Sequence, residues 1–125
     1  MALTPPFVVP RLEITANIGS TPEKIFGSQY SCIIDSISLC NTSESDLFFD
    51  LYILGERMEE DTPVLKQAFH SRQRLLKANE TLELELGSLK TPESGDLLYA
   101  SSDFSGNRFD MLVSYREYRE LAGIV

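Results

Sequence analysis

The sequence predicts an all-β fold: a single-domain antiparallel β-sandwich, jelly-roll-like or Ig-like, with seven to eight short strands. Three observations predict it. Apolar and polar residues alternate on several separate segments, which is the period of a strand with one buried face. These segments recur roughly every ten residues, and clusters of Gly, Ser, Asn, Asp and Pro separate them, as in sandwiches and barrels. No segment carries a convincing long helical stripe. At 125 residues the chain has the size of one domain and can bury an ordinary core without staples.

The elements follow in order. Leu12, Ile14, Ala16 and Ile18 alternate with Glu13, Thr15 and Asn17, and Gly19-Ser20-Thr21-Pro22 ends that strand. From Tyr30 to Cys40, Ile33, Ile37 and Leu39 are expected on one face, with Cys32, Ile34, Ser36, Ser38 and Cys40 on the other. Asn41 to Asp46 is turn chemistry, short side chains that bond their own backbone. Leu47, Phe49, Leu51 and Ile53 then point inward, with Phe48, Asp50 and Tyr52 outward, and Gly55 opens an acidic loop from Glu56 to Asp61.

The segment 64–77 reads either as a helix or as two strands around a turn at His70-Ser71. Thr81, Glu83 and Glu85 then alternate with Leu82, Leu84 and Leu86 up to Gly87. Leu97 to Ala100 is a short central strand. Phe109, Met111, Val113 and Tyr115 form the inner face of the last one. The expected core is Ile33, Ile37, Leu39, Phe49, Leu51, Leu82, Leu84, Met111 and Val113.

Composition narrows the function. Nineteen acids against 11 bases give a net charge of −8, which repels nucleic acid and anionic lipid. No run approaches a membrane span. The start, MALTPPFVVPRLEI, has no basic region and is cut by Pro5, Pro6 and Pro10, so it does not read as a signal peptide and synthesis in a cytoplasm is expected. Cys32 and Cys40 lie on one strand, their Cα atoms about 26 Å apart if it is continuous, beyond the reach of a mutual disulfide.

No catalytic constellation is found. His70 is the one histidine, and no phosphate loop, HExxH or CxxC motif occurs. Glu59-Glu60-Asp61 reads as a solvated charge run without the spaced oxygen pattern of a calcium loop. No enzyme activity, cofactor or metal is expected. The sequons at Asn41 and Asn79 carry no weight without a secretory signal.

Surfaces offer more. Lys66, Arg72, Arg74 and Lys77 share a window without acids in an acidic chain. They suit an ordinary exposed face, or complementarity to the acidic face of a neighbouring copy. The ends, carrying Phe7, Val8 and Val9 and then Leu121 to Val125, are apolar and suit packing on their own domain or on a neighbour. The organisation expected is an N-terminal arm at 1–11, a sandwich at 12–118 and a C-terminal tail at 119–125. The candidate interface comprises Phe7, Val8, Val9, Lys66, Arg72, Arg74, Lys77, Ile124 and Val125.

Three pieces in order, IIDSISLCNTSESDLFFDLYI, LLKANETLELELG and SGDLLYASSDFSGNRFDMLVSYRE, resemble small β-sandwich virion structural proteins of tailed bacteriophages. They span Leu12 to Tyr118, nearly the whole chain. The resemblance implies a multi-copy component of the tail, neck, baseplate or capsid surface, with other virion proteins as partners. It implies a homo-oligomer, a trimer or higher ring, and no catalytic residues. The chain departs from the group in its acidity and in its longer, more charged segment from Glu56 to Pro63. The alternative is a carbohydrate-type binding sandwich using exposed aromatics such as Tyr30, Phe48, Tyr52, Tyr99, Tyr115 and Tyr118; an open platform at Phe48 and Tyr52 would favour it.

Overall fold

The computed structural model describes residues 7–27, 31–84 and 96–119. Among these lie eight strands: β1 (Phe7–Ile18), β2 (Glu23–Gly27), β3 (Ser31–Asn41), β4 (Leu47–Glu59), β5 (Thr62–Leu76), β6 (Thr81–Leu84), β7 (Leu97–Ser102) and β8 (Phe109–Arg119). The chain pairs from its ends inward, β1 with β8, β2 with β7, β3 with β6 and β4 with β5, all antiparallel. It is one long hairpin, rolled so that successive pairs fall in alternate sheets. The sheets have the orders β1-β8-β3-β6 and β2-β7-β4-β5. This wrap is the jelly roll, so the choice between jelly-roll and Ig topology is resolved by the pairing.

The core lies between the two sheets. Ile37, Leu39, Phe49, Leu51, Leu84, Met111 and Val113 are buried there, and Leu82 is partly buried against them. Ring contacts stitch the layers: Phe49 to Phe109 at 5.9 Å and Phe26 to Tyr115 at 4.5 Å between centroids. Ile33 is a correction: it is only partly covered, while Cys32 and Ile34 are buried. The ladder between β3 and β8 slips between Ile34 and Ser36. An extra residue reverses which face follows, so unbroken alternation assigned the first half of β3 to the wrong side.

Other differences have similar causes. The segment 64–77 is neither helix nor two strands but almost entirely one strand, β5. Residues 56–59 continue β4, and the hairpin turns at Glu60 and Asp61, with φ of 48° and 64°. Two successive left-handed residues give a turn whose twist matches the flanking strands. Neither is Gly or Asn, which is why the sequence read as a loop. Strand β2 was not foreseen, because Ile25 and Phe26 are both buried and the ladder slips between Lys24 and Phe26. Residues 7–11, read as arm, form the first half of β1 at a sheet edge, where Pro10 is tolerated.

The Asn41-to-Asp46 turn is built as its chemistry suggests. Asn41 is fully buried; its amide donates to the carbonyls of Ser45 (2.9 Å) and Leu76 (3.2 Å), and its oxygen accepts from Ser43 N–H (3.0 Å) and O–H (2.7 Å). Every polar group of that side chain has a partner, so the turn is locked to the end of β5. Glu85, Leu86, Gly87, Tyr30, Ile124 and Val125 lie outside the described residues.

Candidate interaction surface

The hairpin β4–β5 positions the first candidate surface. Among the described residues β4 is flanked by β7 from Phe49 to Leu54, whereas its pairing with β5 runs on to Glu59. Beyond Leu54 the described part of the hairpin is a two-stranded ribbon. Its root is pinned: Arg57 binds Asp96 through two parallel hydrogen bonds, Nη1 to Oδ1 at 2.8 Å and Nη2 to Oδ2 at 2.9 Å. The fork fixes direction as well as distance. Gly55 makes room for it, since a Cβ there would collide with the Asp96 carboxylate and come within 2.7 Å of Arg57 Nη1.

Pairing puts facing residues on one side of the sheet. The outer side of this hairpin carries Phe48 with Leu75, Tyr52 with Phe69, Glu56 with Leu65 and Met58 with Pro63. Met58 is 66% exposed and Leu65 69%, while Phe48, Phe69 and Leu75 are 39–45% exposed. An apolar stripe thus follows the hairpin for about 33 Å at roughly 3.3 Å per residue of β4, continuing onto the ribbon. Burial, then the charges of Tyr99 and Asp50, holds the Tyr52 phenol above its ordinary value.

The aromatic part of the stripe is a stack. Tyr52 and Tyr99 are 5.6 Å apart and 6° from parallel, and Tyr52 and Phe69 are 5.3 Å apart at 50°. Near-parallel rings at this distance stack with a large offset, so Tyr52 and Tyr99 each take up part of the other's face. The Arg72 guanidinium lies over Phe69, 5.2 Å from its centroid, a cation–π contact.

The second surface is the outer face of the other sheet, and it comes from an inversion in β1. Leu12 (57% exposed), Ile14 (67%) and Ala16 face outward beside Leu112 (43%), although Ile18 of the same parity is buried. The ladder slips between Thr15 and Ile18, where Asn17 has φ 58° and its N–H donates to Asp110 Oδ1 at 2.9 Å. Upstream of that slip the inner side of β1 is polar. Arg11 Nε lies 3.4 Å from Glu117 Oε1, and Tyr115 O–H donates to Glu13 Oε1 at 3.3 Å. Charged residues point in and aliphatic ones point out. A depression of about 320 Å³ lined by Ile14, Ala16, Cys40 and Leu112 completes this face.

The residues singled out from sequence distribute unevenly. Lys66, Arg72, Arg74 and Lys77 are all exposed along or just beyond β5, and β5 is a sheet edge. Lys66 pairs with Glu59 across the ribbon. Val8 is exposed and Val9 half-buried in β1, in the other sheet, so the structure does not bring them to the basic edge. Phe7 pairs with Arg119 through the backbone. The readings missed Met58, Leu65, Phe69, Leu75, Ile14 and Leu112. The available signal was apolar residues opposite one another across the 60–61 turn.

Chemistry is sparse. Cys32 is fully buried, and burial, then the charges of Glu117 and Asp96, pushes its thiol up to about 11, an unreactive group. His70 is exposed; desolvation, then Arg74, lowers its pKa, and its Nδ1 lies 3.0 Å from Ser71 Oγ. Among the described residues no group of three or more His, Cys, Asp or Glu could hold a metal, and no helix is long and apolar enough to cross a membrane.

No protein-family model and no curated protein matches the sequence. Two solved structures are similar in fold. A chain in the structure of infectious bursal disease virus Gx strain superposes with TM-score 0.53 and 12% identity, over 98% of this chain and 34% of that one. A chain of the T13 IBDV viral particle gives TM-score 0.46 and 12% identity, over 95% of this chain and 36% of that one. The first likeness shows the fold alone, and this chain spans about a third of the chain it matches.

Proposed function

We propose that the chain is a non-enzymatic structural component of a virus particle, present in many copies and acting through protein–protein contacts. The observation that carries this is the inversion of β1. A sheet face with Leu12 and Ile14 outward and Arg11 and Glu13 inward is costly in water and is suited to being covered. Jelly rolls serve viral shells and lectins alike, so fold supports the reading without carrying it. Tyr52 stacks on Tyr99 and tilts 50° from Phe69, so these rings do not share one plane as a sugar platform would. The fold likeness to a chain of a viral structure supports a particle role.

The sequence resemblance narrows the reading further, to a tailed bacteriophage, at its tail, neck, baseplate or capsid surface. The protein is then made in the host cytoplasm and ends in the virion, with other virion proteins and copies of itself as partners. A trimer or higher ring fits repeated use of one surface. The net charge of −8 argues against nucleic acid or membrane as partner. Quantitative mass spectrometry of particles purified from the source system tests this: a stoichiometric multi-copy signal is expected, and absence from intact particles overturns it.

A further inference from the structure

We infer that the ribbon tip of one copy docks on the base of the β4–β5 hairpin of a second copy, around Arg72 and Arg74. This rests on the assembly reading above and names its partner and contact. Charge complementarity is the first support. Residues 56–61 hold Glu56, Glu59, Glu60 and Asp61 against Arg57 alone, while 62–77 holds Lys66, Arg72, Arg74 and Lys77 and no acid. Arg57 is committed to Asp96 and Lys66 to Glu59. Asp50 of β4 accepts from Gln73 N–H at the base and offsets one charge there, so the charge left to an outside partner is acidic at the tip and net basic at the base.

Shape and surface agree with this. Among the described residues the tip has two strands, and a two-stranded ribbon is marginal in water unless it packs on something. The Arg57–Asp96 fork fixes the direction of the ribbon at its root. Its outer side offers Met58 and Leu65 as apolar anchors inside an acidic rim, and the base offers Phe69 and Leu75 beside the arginines. Apolar groups meet apolar groups while opposite charges set the register. Plain edge-to-edge strand addition fits less well. The β4–β5 ladder slips twice between Phe49 and Tyr52, and Gln73 has φ 47°, irregularities that blunt an edge. Because tip and base are separate patches, every copy both gives and receives a contact, which makes a dimer or ring where the rotation closes and an open filament where it does not.

The test is self-association of the full chain, read by sedimentation velocity and native mass spectrometry between about 1 and 100 µM. The unmodified protein should associate, and raising the salt should weaken that association at least tenfold, because the rim charges are screened. Glu56→Lys with Glu60→Lys, and separately Arg72→Glu with Arg74→Glu, should each weaken it at least tenfold at an unchanged thermal midpoint. Combining all four should restore it, because the charges are exchanged rather than lost. A monomeric unmodified chain, salt-independent association, or no recovery in the fourfold variant overturns the tip-to-base contact. A chain found in particles yet monomeric in solution sinks this contact and leaves the assembly reading standing. A self-associating chain absent from particles does the reverse.

Discussion

The two halves of the β4–β5 hairpin are built from the same alternation and behave as different objects. In the base, β4 has a strand on each side, and Leu47, Phe49 and Leu51 enter the core at 0–1% exposure. In the tip, among the described residues, the same two strands pair with each other alone, and Met58 and Leu65 are about two-thirds exposed. Inward apolar residues of the base are therefore core, while the outer stripe, Phe48, Phe69 and Leu75 in the base and Met58 and Leu65 in the tip, is contact surface. What separates them is whether a third strand lies alongside and a second sheet lies beneath.

The strongest way to break this comparison is to truncate a core residue of the base and set it against Ile33 of β3, which alternation also placed in the core. Phe49→Ala should cost about 3–5 kcal/mol, because it removes a fully buried ring that touches Phe109 and leaves a cavity. The half-covered Ile33, expected inward from pattern alone, should cost less on truncation, about 1 kcal/mol. Urea unfolding of the two variants decides the matter. Equal losses would mean that the slip after Ile34 does not exist in solution.

That pair of variants also marks where sequence stops being informative. The strands at Leu47–Ile53, Thr81–Leu84 and Phe109–Tyr115 were legible because each alternates without an extra residue of its own, the bulges lying on their partners, and keeps one apolar face. The turn at Asn41 was legible because its residues can do little else. The slips at Asn17, Asp35 and around Gln73 were not: each depends on a partner strand far away in sequence, which local pattern does not contain. For the same reason the outward stripes were hidden. Leu12 and Ile14 look like core until the slip before Ile18 reverses the face. The basic edge was legible as composition, but its distance in space from Val8 and Val9 was not.

A second test uses pH to read the buried interior by itself. The Cys32 thiol ionises near its ordinary 9.0 in the unfolded chain but near about 11 in the fold. As pH rises, the unfolded chain loses its proton first, so folding stability is intact below 9 and falls between 9 and 11. The loss should reach about 2–3 kcal/mol. Burial moves Tyr115 and Tyr52 upward too, so some decline should persist in Cys32→Val. Urea midpoints measured across that range should nevertheless fall less steeply in the variant. Identical slopes would mean that the thiol is not buried where the structure puts it.

The junction between the halves is the next target. Gly55→Ala places a methyl against the Asp96 carboxylate and must displace it or Arg57. Arg57 is 39% exposed and Asp96 5%, so the cost should lie between that of a surface pair and a buried one, about 1–2 kcal/mol. Its signature should be local. Amide exchange should speed up at Arg57 to Lys66 and stay unchanged at Phe49 to Ile53. Uniform acceleration over the hairpin would mean that the ion pair holds the sandwich as a whole.

The smallest effect on stability is expected at the tip, and it separates the two halves most cleanly. Met58→Ala removes a side chain that is 66% exposed and pairs across the ribbon with Pro63. With little apolar area taken from water by folding, its loss should change stability by no more than about 0.5 kcal/mol. If the ribbon instead lay against its own domain, that methionine would be covered and truncation would cost about 2–5 kcal/mol, as in a core. Exchange at the ribbon amides reads the same distinction. In dilute solution they should open at a much lower free energy than Leu51, since only two strands hold them. At concentrations where copies associate, protection there should rise while that of Leu51 does not. A tip already protected at high dilution would place its partner within the same chain, and Met58 would then belong to the fold.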